Sequence, residues 1–104
     1  MFDIFKKKKK PVFKFNESPN TACFTCDHVL KRERPILYAS HYSDDGSWQF
    51  TCGKSDHTEA NAKIISLKQA TEIDESINDL YEMPLGVGAE RETQTSKWIP
   101  FRLS

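Results

Sequence analysis

The run Ser47-Trp48-Gln49-Phe50-Thr51-Cys52 alternates large apolar with polar side chains, and it follows Asp44-Asp45-Gly46 and the β-rich stretch from Pro35 to Tyr42. Alternation with period two is the mark of a half-buried strand, and an Asp-Gly pair supplies the backbone freedom of a tight reversal. The pattern predicts a β-hairpin with Trp48, Phe50 and Cys52 on its buried face, closed after Cys52 by Gly53. A chain of 104 residues built around such a hairpin fits one domain with one core.

The flanking sequence extends this plan. Lys63 to Leu67 predicts another short strand. Ile73, Ile77, Leu80 and Tyr81 then fall at i, i+4, i+7 and i+8, the spacing of one apolar helix stripe. Asp74 offers a second solution, capping a fresh helix from Glu75 to Tyr81 with its short acceptor side chain. Met83-Pro84 ends either version. Leu85 to Gly88 predicts a turn and a strand entry, followed by strands at Ala89 to Thr93 and Lys97 to Phe101 joined by Gln94-Thr95-Ser96. The expected fold class is α+β: a small, mainly antiparallel sheet with one or two helices on one face. Residues 21 to 104 form this single domain. Residues 1 to 20 read as a basic leader, either flexible or joining an edge strand through Val12 to Phe15.

The formal charge is zero, yet it is unevenly spread. Residues 1 to 15 hold six lysines against Asp3 alone, and the remainder holds nine basic and fourteen acidic groups. An acidic body is a poor fit to a phosphate backbone, so nucleic acid is not expected as a partner. Lys6, Lys7, Lys8, Lys9 and Lys10, with Phe2 and Phe5 beside them, suit weak contact with an anionic membrane surface. Neither a secretory core nor a run of about 18 apolar residues is present in the sequence. The odd cysteine count points to a reducing compartment, with the cytoplasm as the expectation.

Cys23-Phe24-Thr25-Cys26 and Cys52-Gly53-Lys54-Ser55-Asp56-His57 carry what chemistry the chain advertises. They read C-x2-C, then C-x4-H. If the first pair forms a turn, Cys23, Cys26, Cys52 and His57 supply a tetrahedral structural zinc site, with His28 and His41 as competing ligands. A second reading makes Cys52 a small buried hydrophobe beside Trp48 and Phe50. A third is a thiol- or metal-dependent enzyme using the same cluster, which requires an activated thiolate near a helix N-terminus or a base. Asp44 and Asp45 belong to the hairpin turn, and Asp74, Glu75 and Asp79 are expected on a solvated helix face. Gly86-Val87-Gly88 lacks the glycine pattern of a phosphate loop and is expected to turn the chain. Arg91 and Trp98 are expected to pair across neighbouring strands.

The order of features from Thr21 to Phe101 adds a resemblance. Asp45-Gly46-Ser47-Trp48-Gln49-Phe50, Cys52-Gly53, Ile73-Asp74-Glu75-Ser76-Ile77, Pro84-Leu85-Gly86, Ala89-Glu90-Arg91 and Trp98 follow one another as in an uncharacterised family of small bacterial proteins. More distantly, the chain is similar to immunity-protein domains of toxin systems. It departs from these at Glu75, where they carry proline, and in its Cys23-x-x-Cys26 pair. The resemblance implies a non-enzymatic α+β binding module that neutralises a partner protein, and it transfers no catalytic residue. An acidic body would suit a basic partner.

Overall fold

The computed structural model describes residues 12 to 54 and 59 to 103. The elements in chain order are β1 (Ala22–Cys26), α1 (Asp27–Leu30), β2 (Tyr38–His41) and β3 (Trp48–Thr51). A 3-10 turn (Glu59–Asn61), β4 (Ala62–Ser66), α2 (Leu67–Ile73), a 3-10 helix (Glu75–Leu80), β5 (Val87–Glu90) and β6 (Ile99–Arg102) complete it. The six strands form one sheet in the order β4-β1-β3-β2-β5-β6. Every pairing is antiparallel except that of β1 with β3. The α+β expectation holds, with a mainly antiparallel sheet.

The hairpin forms where the alternation places it. Ala39 stands opposite Phe50 and His41 opposite Trp48. Gly46 takes φ +75° in the reversal, in the left-handed region that suits glycine. Ser66 caps α2 by accepting from the Gln69 backbone N–H at 3.0 Å. Asp74 ends α2 and caps the next turn by accepting from Ser76 N–H at 3.0 Å. The stripe through Ile77 and Leu80 is therefore buried as expected, but it crosses a break at Asp74.

One core cluster joins Cys23, Trp48, Phe50, Ile65 and Ala89 of the sheet to Val29, Leu67, Ala70 and Ile77 of the helical segments. On the opposite sheet face Phe24 and Ile64, paired across β1 and β4, remain 40% and 67% exposed. Residues 12 to 20, placed above in the leader, pack on the body. Phe15 is buried with its ring 5.0 Å from that of Trp48. The Asn78 side chain accepts from Lys14 N–H at 2.9 Å and donates to Val12 O at 3.1 Å. Residues 12 to 15 form no strand, and Lys6 to Lys10 lie outside the described residues.

Candidate metal centre

Parallel neighbours end at the same edge of a sheet. Because β1 runs parallel to β3 with Phe24 beside Gln49, Cys26 at the end of β1 and Cys52 just after β3 arrive side by side. Cys26 is also the N-cap residue of α1, with extended backbone at φ −115° and ψ 160°, so His28 follows one residue into the helix. One ligand atom from each of Cys26, His28 and Cys52 lies within 4.8 Å of the others. This group can hold a metal ion.

The donors are built into the structure. Cys26 and Cys52 are 3% and 2% exposed. Burial pushes the Cys26 thiol up, against the pull of backbone N–H groups from Cys52 and Val29; the neighbouring Cys52 thiol adds to the rise. A cation at this point would reverse that balance, since coordination favours the thiolate. Arg34 Nη1 donates to Cys52 Sγ at 3.6 Å.

The surrounding shell is polar and ordered. Asp27 Oδ1 lies 3.5 Å from His28 Nδ1. Asn61 Nδ2 in turn donates to both carboxylate oxygens of Asp27, at 3.1 and 3.2 Å. Desolvation tends to raise the Asp27 pKa, but the Asn61 amide and the charges of His28, Lys31 and Lys63 outweigh it and hold the carboxyl below its usual range. A carboxylate beside a ligating imidazole is a common outer-shell arrangement, because it fixes the ring and raises its basicity.

The structure distributes the sequence candidates differently from a C-x2-C turn. Cys23 and Cys26 both lie in β1, three residues apart in extended backbone, where an odd separation sends side chains to opposite faces. Cys23 is in the core at 0% exposed, its thiol pushed up to about 12 by burial, and it is not among the three clustered donors. Cys52 joins the site while remaining as buried as a core residue. His57 lies outside the described residues. His41 is occupied elsewhere, stacked on Trp48 with ring centroids 3.9 Å apart and with Nδ1 2.8 Å from Met83 O. Sequence spacing favoured His57 over His28. The signal for His28 was the Cys26-x-His28 pair, which acquires meaning only once a strand is seen to pass directly into a helix.

Comparison of the chain with protein-family models, with curated proteins and with solved structures yields no match. Among the described residues no helix is long and apolar enough to cross a membrane.

Proposed function

We propose that the chain is a small non-enzymatic binding module that acts by protein–protein contact and is fastened by a structural zinc ion at Cys26, His28 and Cys52. The observation that carries this reading is the clustering of two buried sulfurs and one imidazole within 4.8 Å. Sulfur and nitrogen donors in that ratio match the preference of zinc, which structural sites enclose tetrahedrally. His57 is the proposed fourth ligand. The segment that holds it is flanked by Cys52, a donor itself, and by Asn61, bonded to Asp27 beside the site.

The alternative of a thiol enzyme needs a nucleophile with a lowered pKa and access to solvent. Cys23 and Cys26 have raised values and are buried, which favours a structural role. Three reduced cysteines suit a cytoplasmic location. The acidic body and the resemblance to immunity-protein domains both support a basic protein as partner.

Metal analysis by mass spectrometry on untagged protein, purified without added metal, tests the zinc site. About one zinc per chain is expected, lost in Cys26→Ser, Cys52→Ser and His28→Ala, and kept in Cys23→Ala. Folded, reduced wild-type protein without zinc would overturn the reading. Retention of zinc by Cys26→Ser together with its loss from Cys23→Ala would reject the ligand set.

A further inference from the structure

A second feature lies away from the metal centre. A cavity of about 280 Å³ opens between the 3-10 helix Glu75–Leu80, the segment through Met83 and Pro84, and the outer strands β5 and β6. Its walls include Leu80, Met83, Pro84 and Trp98, and Asp79 and Glu82 stand at it as exposed carboxylates. Among the described residues no lysine or arginine lines it. The Trp98 ring packs against the Arg91 guanidinium, whose carbon lies 4.0 Å from the ring centroid. That guanidinium is committed to Asp74, Ser76 and the carbonyl of Ile36. Trp98 Nε1–H is buried and meets no acceptor among the described residues.

From these features we infer that the cleft receives a lysine or arginine side chain from an extended segment of the partner protein. This rests on the protein-binding reading above and names the chemistry of the partner. Two properties of the cleft converge on such an occupant. The apolar walls match the methylene stem of a long basic side chain. Asp79 and Glu82 complement its charged end, and charge complementarity of this kind steers encounter and sets register. A glutamate or an acidic ligand has no place there, because two carboxylates would face it.

Nuclear magnetic resonance on the ¹⁵N-labelled, zinc-loaded full chain tests the inference, since the two tryptophans give two indole N–H signals that Trp98→Phe assigns. The probe is an acetylated, amidated Ala-Lys-Ala-Lys-Ala peptide, with Ala-Glu-Ala-Glu-Ala as its counterpart. The lysine peptide is expected to shift the Trp98 indole signal with saturation and leave that of Trp48 in place. The glutamate peptide is expected to shift neither. Asp79→Asn combined with Glu82→Gln, both at exposed positions, is expected to weaken binding roughly fivefold to tenfold with the rest of the spectrum unchanged. An unmoved Trp98 signal, equal shifts by both peptides, or unchanged affinity in the double variant would each overturn the inference. Zinc content is read separately on the same samples, so failure of the cleft is distinguished from failure of the metal site.

Discussion

Removing Asp74 should nearly unfold the protein, although sequence patterning would place it on a solvated helix face. Asp74 Oδ2 lies 2.7 Å from Arg91 Nη2, and the two side chains are 5% and 2% exposed. Arg91 also donates to Ile36 O from Nε and Nη2, at 3.1 and 2.8 Å, and to Ser76 Oγ at 2.9 Å. In Asp74→Ala the guanidinium keeps these neutral acceptors and loses its only counter-charge contact among the described ion pairs. Deleting one partner of a buried pair costs about 3–5 kcal/mol. The Asp74 cap on the Glu75–Leu80 helix is lost as well, adding about 1 kcal/mol. Domains of this size hold about 5–15 kcal/mol in total, so Asp74→Ala should be partly unfolded or close to it in urea titrations followed by circular dichroism. Asp74→Ala with Arg91→Met removes both charges. It should recover about 1–3 kcal/mol relative to simple addition of the single effects, because contacting residues couple by that order. A loss below about 1 kcal/mol in Asp74→Ala, or strict additivity in the double variant, would refute the argument that the pair is a buried, mutually dependent unit.

Two further outcomes follow from the core. The Cys23 thiol ionises near 9.0 when unshielded and near about 12 when buried. Between those values the unfolded chain has lost a proton that the folded chain retains, so stability falls as pH rises. The slope is about 1.4 kcal/mol per pH unit. Denaturant midpoints of wild type and Cys23→Ala should converge above pH 9.0 for this reason, and equal slopes would reject the assignment. At Gly88 an added Cβ would lie 2.7 Å from Phe101 Cζ and 3.0 Å from Ala39 O. Gly88→Ala should therefore lower stability by about 1–3 kcal/mol, with partial recovery when Phe101→Leu removes the ring, as measured by thermal unfolding.

The β2–β3 hairpin was legible because turn residues and alternation are local. Gly46 and Gly86, both at positive φ, likewise mark turns that the sequence announces. Gly88 was assigned to the same turn as Gly86 but lies inside β5, where its missing side chain makes room for Phe101. β1 was not legible, because its partners β3 and β4 are distant in sequence and the β1–β3 pairing is parallel. Without that strand the Cys23 and Cys26 spacing reads as a metal-binding turn. With it, the two sulfurs separate and His28 comes into range. The end of α1 was hidden for another reason. Arg32 occupies the left-handed region at φ 61°, and Arg32 N–H and Glu33 N–H bond back to Val29 O and His28 O, so the helix closes without the glycine that usually signals this stop. The Arg91–Trp98 association was legible as a pairing. Its ionic partner Asp74 was not, since seventeen residues separate the two.

The two polar knots do different mechanical work on the same sheet. α1 has four residues, too few to hold helical shape by itself, and it leaves β1 directly at Cys26. A metal at Cys26, His28 and Cys52 would join that helix to the ends of two strands, and the Asn61–Asp27 bonds tie in the start of β4. Asp74 links α2 to the following 3-10 helix while Arg91 draws both toward the strand end after β5 and onto Trp98. Neither knot draws on Phe24 and Ile64, on the open sheet face, or on Asp79 and Glu82, at the cleft. Under the proposed binding role, exposed residues are free to vary with the partner while the cysteine, histidine, aspartate and arginine that fix the helices stay in place.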